Sequence, residues 1–561
     1  MTLANGTLMR TGPDSPHWPV GFTAHLTVPE GNAARTLETS ARRWPTRPAL
    51  HYYGQTISYG DLQAQVLALA GYLRHLGVTQ GDRVLLYMQN APQFVIAFQS
   101  VLRANAIVVP VNPMNTTEEL RHYAEDSGAR VAVLGDELLD RARMLKPDLL
   151  DHLIVAHYAD AAPDVPADPL PPVMQAARVP LERNECDFQA ALRAGHPAGA
   201  ITTGGDDIAV MPYSSGTTAR PKACLHRHST VTFTAAAQAT WYGVNEQSVM
   251  TCFMPLFHVA GMQASMSAGL FAGAALVLMT RWDRNIIPAL FARHKVTWWS
   301  AAPTMIVDVM ASAGFDPACF GTLQVLTGGG ASMPAAVGER LRARYDLRFC
   351  EGYGLTETLS ATHINPVGNP KPQCLGIPIF DTFSIIVDPV TLHEQPQGEA
   401  GEILVSGPQV MAGYWNRPIE TEQALISRDG RIWLRTGDLG YVDAEGYFFI
   451  QDRLKRLINV SGFNVSPAEC EMLLYRHPAV QECCVISTPD PYQGESVKAL
   501  IVLEPDHEGQ IDAAQIIAFA RIHLAAYKVP RHVDFVPSLP RTGTTKVNWR
   551  ALQDAEWKGR R

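Results

Sequence analysis

Apolar positions repeat at steps of three and four over residues 58–77, the spacing of one face of an α-helix. They are Leu62, Val66, Leu69, Leu73 and Leu76. Ser58 or Tyr59 lies at the predicted start, and Gly77 is a typical residue at a helix end. The pattern predicts a helix here and a second helix over Gln93–Leu102.

Short apolar runs between polar stretches predict buried strands. These runs are Val84–Met88, Ile107–Val111, Val131–Leu134, Ile208–Met211, Val249–Phe253, Ala275–Met279 and Leu323–Leu326. Because helical stretches separate many of them, we expect an α/β architecture with largely buried sheets. The Pro-, Ala- and Asp-rich segment Asp160–Pro172 is expected to be an exposed loop or an irregular excursion.

The pattern changes after Asp452, where strands and one helix suffice for a small α+β domain. The predicted elements are strands Val480–Ile486, Val497–Leu503 and His532–Val536 and the helix Ile511–Leu524. We therefore expect a large multi-sheet N-terminal domain over residues 1–452 and a small mobile domain over residues 453–561.

Charge and cysteine content exclude some classes of protein. The formal net charge is −8, which argues against a nucleic-acid partner bound by phosphate neutralisation. Nine cysteines without framework spacing indicate reduced thiols in a cytosolic protein, and Cys483 and Cys484 are expected to be buried. The first twenty residues do not resemble a signal peptide, and the apolar stretch 269–279 is too short to span a bilayer. We expect a soluble, cytoplasmic protein.

The segment MPYSSGTTARPKACLH combines a predicted strand with hydroxyl groups, a glycine turn and one lysine. Donors around a single cation suit a polyphosphate, whereas the alternative is a polar surface loop. It is not a Walker A loop, because Ala223 follows Lys222 where that motif has Ser or Thr. The candidate phosphate-binding residues are Ser214, Ser215, Gly216, Thr217, Thr218 and Lys222.

Two further segments carry candidate chemistry. A strand over 323–326 enters a run of three glycines, which lets a ligand approach the backbone, and a helix is predicted after Pro334. Residues 349–358 are predicted to form a tight loop, in which Tyr353 can stack on a nucleobase and Glu357 can hold Mg²⁺. The alternative for this loop is a turn with a solvated glutamate.

Six motifs stand in one order along the chain: YSSGTTARPK, MPLFHVAG, GYGLTET, RTGDLG, DRLKRLINVSGFNVSPAE and LPRTGTTK. In this order they resemble the adenylate-forming superfamily of acyl-CoA synthetases, peptide adenylation domains and beetle luciferases. The resemblance covers roughly residues 37–552 and is strongest to medium- and long-chain fatty acyl-CoA ligases. It implies ATP, Mg²⁺ and coenzyme A as cofactor and co-substrates.

The resemblance also implies roles for single residues. The 214–222 loop would hold the β- and γ-phosphates, Thr356 would lie near the α-phosphate, and Glu357 with Thr217 would bind Mg²⁺. Asp438 and Arg453 would hold the ribose hydroxyls. The adenine pocket would comprise Gly329, Gly330, Ala331, Glu351, Gly352 and Tyr353.

Four more roles follow from the same resemblance. His258 would line the entrance for the acyl group and the thiol. Lys455 would be the hinge between the domains, and Gly462 would lie in the loop that completes the pantetheine tunnel. Lys546 would bridge the substrate carboxylate and the α-phosphate, where negative charges converge. The implied catalytic residues are therefore Lys546, Thr356, Glu357 and His258.

Some positions depart from the family pattern. Ala219 and Ala223 replace glycines of the phosphate loop, Thr545 replaces the glycine before the catalytic lysine, and Arg541 replaces a lysine. His226 and His228 lack an apparent third ligand, so we expect structural or solvated side chains and not a metal site. The last five residues, 557–561, are expected to be a solvated terminus.

The implied mechanism has two half-reactions in one cleft. The acid and MgATP would first give acyl-AMP and pyrophosphate, after which the small domain would rotate and the CoA thiol would attack the adenylate. The acid pocket would be lined by 258–261, Trp298, Trp299, Ala302, Pro303 and 328–331. This lining predicts a hydrophobic acid, either a medium- or long-chain fatty acid or an aryl or cinnamate-type acid.

Three rival functions stay open beside CoA ligation. They are an acyl-AMP ligase that delivers to a carrier protein, a luciferase-like oxygenase, and a non-catalytic nucleotide-binding relative. Retention of all the expected charged groups argues against the non-catalytic relative: Lys222, Glu357, Asp438, Arg453 and Lys546. A homodimer is left open, because the sequence does not determine the oligomeric state.

Overall fold

The computed structural model describes residues 17–146, 148–214, 220–312, 315–329, 333–460, 463–490, 494–542 and 546–558. The chain forms two compact units. Unit 1 comprises Met1–Ser384, Val405–Leu434 and Glu445–Tyr447, and unit 2 comprises Ile385–Leu404, Arg435–Ala444 and Phe448–Arg561. Unit 2 thus takes in residues 385–404, 435–444 and 448–452 from before residue 453, and the boundary expected there stays a prediction.

The α-helices of the described residues are distributed along the whole chain. Their bounds are α1 Ala34–Arg43, α2 Tyr59–His75, α3 Pro92–Arg103, α4 Thr117–Ser127, α5 Leu139–Arg143, α6 Pro172–Gln175, α7 Phe188–Arg193, α8 His228–Trp241, α9 Ala268–Ala272, α10 Ile287–His294, α11 Pro303–Met310, α12 Ala335–Tyr345, α13 Pro418–Ala424, α14 Pro467–Leu474, α15 Ala513–His523 and α16 Trp549–Trp557.

The strands alternate with these helices through most of the chain. Their bounds are β1 Pro48–Tyr52, β2 Gln55–Ser58, β3 Arg83–Tyr87, β4 Ile107–Val111, β5 Val131–Gly135, β6 His152–Ala156, β7 Glu185–Asp187, β8 Ile208–Val210, β9 Tyr213–Ser214, β10 Lys222–Arg227, β11 Val249–Cys252, β12 Ala275–Leu278, β13 Trp298–Ser300, β14 Val325–Gly329, β15 Phe349–Gly354, β16 Ala361–Ile364, β17 Ile377–Pro378, β18 Phe383–Val387, β19 Gly401–Ser406, β20 Gly413–Tyr414, β21 Leu425–Arg428, β22 Arg431–Val442, β23 Phe448–Arg453, β24 Ile458–Val460, β25 Phe463–Val465, β26 Val480–Asp490, β27 Gly494–Leu503 and β28 His532–Phe535.

Two large, mostly parallel sheets form the frame of unit 1. One has the order β20-β10-β8-β4-β3-β5-β6-β7, with β9 paired to β10, and the other has the order β17-β16-β15-β14-β13-β11-β12-β1-β2. Both have central strands buried on two faces, as the uninterrupted apolar runs indicated. The predicted α/β architecture with a large multi-sheet part is confirmed.

Helix α2 forms where the apolar period predicted it. The Ser58 hydroxyl accepts the backbone N–H of Asp61, which caps the helix, and Gly77 adopts a positive φ of 88° beyond its end. The apolar stripe from Leu62 to Leu73 is buried against neighbouring elements, whereas Leu76 lies just past the last helical residue.

One prediction of local structure was wrong, and a second was confirmed in one of its two alternatives. Residues 349–354 form strand β15 and not a tight loop, because Gly352 pairs with Gly329 of β14, whose strand also runs three residues further than expected. The segment 160–172 is irregular but not wholly exposed. Within it Asp168 is buried and forms an ion pair with Arg293, with 2.5 Å between Oδ2 and Nη1.

Unit 2 contains the expected small α+β arrangement. One five-stranded sheet of unit 2 has the order β25-β24-β27-β26 with β28 parallel to β27, and helices α14 and α15 pack on it. Strands β22 and β23 belong to another sheet, of order β18-β19-β22-β21 with β23 paired to β22. Cys483 and Cys484 are buried, as expected. Among the described residues of the chain, no helix combines the length and apolarity that a membrane crossing needs.

Candidate functional site

The predicted phosphate loop is bracketed by two antiparallel strands of unit 1. Ser214 at the end of β9 pairs with Lys222 at the start of β10. The strand pairing therefore brings the first and last of the candidate phosphate-binding residues side by side. Ser215, Gly216, Thr217, Thr218 and Ala219 lie outside the described residues.

Lys222 and Glu357 are joined through a tyrosine that the sequence analysis missed. The Lys222 Nζ lies 4.3 Å from the centroid of the Tyr414 ring, and the Tyr414 hydroxyl donates a hydrogen bond of 2.9 Å to Glu357 Oε1. Burial, followed by the charge of Glu357, raises the pKa of Tyr414, so the phenol stays a neutral donor. Its only signal in the sequence was a place in the GYWNRP segment.

The backbone of the Thr356–Glu357 segment is held from two directions. The imidazole of His226 donates from Nε2 to the carbonyl oxygen of Thr356 at 2.8 Å, which fixes the tautomer because a carbonyl only accepts. The N–H of Met411 donates to the carbonyl oxygen of Glu357 at 2.9 Å. Burial lowers the pKa of His226 to about 4, so this ring is neutral at physiological pH.

The histidine pair that was set aside as a metal site has a structural role. His226 and His228 are both fully buried, and the backbone N–H of Ala33 donates to His228 Nδ1 at 3.1 Å. In the part of the chain that the structure describes, no group of three His, Cys, Asp or Glu residues could hold a metal ion.

The described residues of the predicted adenine pocket lie on two paired strands. A Cβ atom on Gly329 would lie 2.3 Å from the carbonyl oxygen of Gly352, so this close backbone approach requires glycine. The neighbouring side chains of Glu351 and Tyr353 are both buried. Gly330 and Ala331 lie outside the described residues.

Glu351 anchors the chain that follows the three glycines. Its Oε1 accepts the backbone N–H of Met333 at 2.8 Å, and its own backbone oxygen accepts the N–H of Asn365 at 3.0 Å. Burial raises the pKa of this carboxyl to about 7. A buried carboxyl whose pKa is shifted this far is typical of functional sites, although structural anchors show it too.

His258 begins an unusual helical segment. Its carbonyl oxygen accepts the N–H of Met262 at 2.9 Å, and the following residues Ala260–Ser267 form a π-helix. π-Helical turns are rare and occur frequently at functional sites. Gly261 packs so closely that a Cβ atom would lie 2.3 Å from the carbonyl oxygen of Pro255. His258 itself is half-buried.

The two neighbouring tryptophans do not share an environment, because successive residues of a strand point to opposite faces. Trp298 packs on Tyr242, with ring centroids 5.8 Å apart. Trp299 packs on Phe291 and Phe320 at 5.3 and 5.8 Å. Trp299 therefore belongs to an aromatic core on the other face of β13, so the two tryptophans do not line one pocket side by side as the sequence analysis expected.

Asp438 and Arg453 meet in unit 2, on the paired strands β22 and β23. They lie directly opposite each other, and Arg453 Nε is 2.9 Å from Asp438 Oδ1. The Asp438 side chain is fully buried, whereas that of Arg453 is 54% exposed. The pair thus combines a shielded acceptor with a guanidinium that other groups can still reach.

Backbone contacts bring Lys546 close to Thr542 in unit 2. The N–H of Thr542 donates to the Lys546 carbonyl oxygen at 2.7 Å, and Arg541 and Val547 form an antiparallel bridge. The residue is exposed, but desolvation of its ammonium and then the charge of Arg453 lower its pKa, while Asp438 acts in the opposite direction. Thr545 lies outside the described residues.

The other predicted residues of unit 2 are only partly described. Lys455 lies in the 3₁₀ turn Leu454–Arg456, and the side chain of the adjacent Arg456 forms an ion pair with Glu471. Nothing is described of the Lys455 side chain, and Gly462 lies outside the described residues. The C-terminal segment is not wholly a solvated terminus, because the Trp557 indole donates to the carbonyl oxygen of Ser487 at 3.2 Å.

The chemistry of these groups fits the ligands that they were predicted to take. A half-buried carboxylate at Glu357 is a hard oxygen ligand of the kind that Mg²⁺ prefers, and one of its oxygens is already oriented by Tyr414. Lys222 supplies a cation beside the loop. In unit 2, the buried carboxylate of Asp438 is an acceptor suited to paired hydroxyl groups.

Comparisons with known proteins agree with this arrangement. The profile of the AMP-binding enzyme family matches residues 37–415, and that of the AMP-binding enzyme C-terminal domain matches residues 469–546. The chain is 34% identical over 550 residues to the long-chain-fatty-acid–CoA ligase of Bacillus subtilis, covering 96% of this chain and 97% of that protein. It is 33% identical over 513 residues to a feruloyl-CoA synthase of Amycolatopsis, covering 90% and 95%.

A solved structure also matches along nearly the whole chain. The crystal structure of ATP-bound MatB from Rhodopseudomonas palustris superposes with a TM-score of 0.83 at 26% identity. The match covers 94% of this chain and 99% of that one.

Proposed function

Because the chain belongs to the AMP-binding enzyme family and is an adenylate-forming acyl-CoA ligase, we propose that it activates a hydrophobic carboxylic acid, namely a medium- or long-chain fatty acid. The observation that carries the adenylation chemistry of this proposal is the grouping of predicted ATP-site residues within each unit. Unit 1 joins Lys222 to Glu357 through Tyr414, and unit 2 joins Asp438 to Arg453.

In the first half-reaction a carboxylate oxygen of the acid attacks the α-phosphorus of ATP. The bond between the α- and β-phosphates breaks, which gives acyl-AMP and pyrophosphate. Lys546 offsets the negative charge where carboxylate and phosphate meet, and Lys222 pairs with the outer phosphates. Glu357 and Thr217 would hold Mg²⁺, which supplies charge neutralisation for the phosphates when it is bound.

Other residues of the chain orient the nucleotide. Asp438 accepts hydrogen bonds from the ribose hydroxyls beside Arg453, and Tyr353 stacks on the adenine. Thr356 lies near the α-phosphate, and its backbone position depends on the bond from His226. These placements orient the α-phosphate for attack by the carboxylate. Such orientation of reacting groups is a large part of the rate enhancement that enzymes achieve.

In the second half-reaction the sulfur of coenzyme A attacks the acyl carbon of acyl-AMP. The bond to the AMP oxygen breaks and the thioester forms. As the family resemblance implies, the C-terminal domain would rotate about Lys455, the loop of Gly462 would complete the thiol site, and His258 would line the entrance that the thiol uses. Alternation between two arrangements lets one site serve both steps while water is kept from the labile adenylate.

The predicted acid pocket supports a hydrophobic substrate. Its described residues carry no carboxylate, lysine or arginine: His258, Val259, Ala260, Gly261, Trp298, Ala302, Pro303, Gly328 and Gly329. A second carboxylate on the substrate would lack a cationic partner there, and an amino group would lack an acidic one. Such unpaired charges are strongly disfavoured in a desolvated pocket.

An aryl or cinnamate-type acid is the second candidate. The feruloyl-CoA synthase is nearly as similar to this chain as the fatty-acid ligase, at 33% against 34% identity. A cytoplasmic location and a homodimer stay predictions.

A product assay by mass spectrometry tests the proposal. Purified protein with MgATP, with and without coenzyme A, is given acids from acetate to palmitate, benzoate, cinnamates and several amino acids. We expect acyl-CoA and AMP from the fatty acids of medium or long chain only. Turnover confined to cinnamates would select the second candidate, and acyl-AMP that never acylates coenzyme A would select delivery to a carrier protein.

A further inference from the structure

Tyr414 touches two of the predicted ATP-site groups at once. The centroid of its ring lies 4.3 Å from Lys222 Nζ. Its hydroxyl group donates a hydrogen bond of 2.9 Å to Glu357 Oε1. We propose that Tyr414 is a positioning residue that separates the phosphate-loop lysine from the metal-binding carboxylate and fixes both for ATP. This inference rests on the proposed function of the site.

The separation matters because the two charged groups would otherwise attract each other. A direct ion pair between Lys222 and Glu357 would compete with the phosphates for the lysine and with the metal for the carboxylate. The aromatic face attracts the ammonium without neutralising its charge. The phenol hydroxyl occupies one carboxylate oxygen of Glu357 and so orients the side chain while the second oxygen stays available as a ligand.

The backbone around Tyr414 is fixed independently of its side chain. Strand β20 pairs with β10, with Tyr414 opposite Cys224. The N–H of Trp415 donates to the Ala223 carbonyl oxygen at 3.0 Å, and the N–H of Tyr414 donates to the Thr421 hydroxyl at 2.9 Å. Because these bonds use backbone donors, we expect substitutions of the Tyr414 side chain to leave the local fold in place.

Two substitutions separate the contacts of the ring and the hydroxyl. Tyr414→Phe removes the bond to Glu357 and keeps the ring beneath Lys222, whereas Tyr414→Leu removes both. Tyr345→Phe is a matched control, because Tyr345 packs on Phe320 at the end of α12. Circular dichroism and melting temperature establish that each variant is folded.

The first readout is metal binding without turnover. Mn²⁺ is titrated by electron paramagnetic resonance in the presence of α,β-methylene-ATP, an analogue that cannot be cleaved between these phosphates. We expect Tyr414→Phe to weaken Mn²⁺ binding at least fivefold and Tyr345→Phe to leave it unchanged. In a Glu357→Gln background, Tyr414→Phe should add less than a twofold effect, because the group that it orients has been altered.

The second readout is the adenylation rate at saturating Mg²⁺. We expect the KM for ATP to change less than twofold in Tyr414→Phe and to rise at least fivefold in Tyr414→Leu, where Lys222 loses its aromatic neighbour. Unchanged Mn²⁺ binding in Tyr414→Phe overturns the inference. The inference is also overturned if Tyr414→Phe weakens Mn²⁺ binding as much in the Glu357→Gln background as in the wild type. A wild-type protein that binds Mn²⁺ and the analogue but forms no AMP from any acid refutes the proposed function alone.

Discussion

Asp438 and Arg453 face each other across strands β22 and β23, with 2.9 Å between the carboxylate Oδ1 and the guanidinium Nε. The carboxylate is fully buried and the guanidinium is half exposed. The Arg453 guanidinium holds the buried Asp438 carboxylate in one orientation. Recognition of two adjacent hydroxyl groups requires an acceptor that is fixed in this way. Lys546 responds to the same two charges, since Arg453 lowers its pKa and Asp438 opposes that effect.

We expect Asp438→Asn and Arg453→Ala to have different consequences. Asp438→Asn replaces the proposed ribose acceptor and should lower kcat/KM for ATP by about 100-fold, mainly through KM. Arg453→Ala removes one partner of a buried carboxylate and should lower the free energy of unfolding of unit 2 by about 1–3 kcal/mol. Steady-state kinetics and denaturant unfolding measure the two effects. Equal ATP kinetics in wild type and Asp438→Asn would refute the ribose role.

Lys546→Ala should impair only the first half-reaction. Loss of one positioned cation from a charged transition state typically reduces the rate by about 10²–10³. The second half-reaction, measured with supplied acyl-AMP and coenzyme A, should stay within about twofold of wild type. Lys558→Ala, an exposed lysine beyond α16, is the matched control. Negligible adenylation in both the wild type and Lys546→Ala would instead indicate a non-catalytic relative.

The alkaline side of the pH profile should report the Lys546 ammonium. Desolvation and the charge of Arg453 lower its pKa from 10.5, so the cation is lost at a lower pH than for a free lysine. The adenylation rate should therefore fall as pH rises through this lowered pKa. In Lys546→Arg the guanidinium stays charged, so the decline should move to higher pH even if the maximum rate is lower. Identical profiles in both proteins would assign the decline to another group.

The parts of the fold that were predicted correctly are those determined by local pattern. Helix α2 has a cap at Ser58 and an apolar period, and both are readable along the chain. Strand β15 was missed because its glycines and polar residues pair with β14, and that partner is distant in the sequence. The composition of this segment favours a loop, but its backbone pairing with β14 makes it a strand.

In the candidate site, too, residues within sequence motifs were predicted, whereas residues placed by distant strand pairing were not. Motif order indicated Lys222, Glu357, Asp438 and Lys546, because each of them lies in one of the six motifs. Tyr414 was not predictable, since its function depends on strand β20 lying beside β10. Trp298 and Trp299 were expected in one pocket because they were treated as one feature, although the alternation of a strand sends them to opposite faces.

Glu351 should make the stability of unit 1 depend on pH. Its pKa is raised from 4.5 to about 7, so its contribution to stability is complete below about pH 4.5 and is lost as pH rises through 7. Glu351→Gln keeps an oxygen acceptor for the Met333 N–H and does not ionise. Relative to wild type, the variant should therefore gain about 3 kcal/mol between pH 4.5 and pH 8. Urea unfolding across this range measures the gain, and a constant difference would show that Glu351 is already ionised throughout.

Trp557 should connect the C-terminal helix to the chemistry of Lys546. Its indole donates to Ser487, and α16 begins three residues after Lys546, the proposed catalytic lysine, with Trp549 packed in the same cluster as Val547. Trp557→Ala removes both ring packing and the donor, and should lower the free energy of unfolding of unit 2 by about 2–4 kcal/mol. Trp557→Phe keeps most of the packing and should lose only about 1 kcal/mol.

Adenylation should fall more than thioester formation in Trp557→Ala, because only the first step uses Lys546. Removal of residues 558–561 is the control and should change neither rate, whereas equal losses of both half-reactions in Trp557→Ala would show that the helix supports the fold without positioning the lysine.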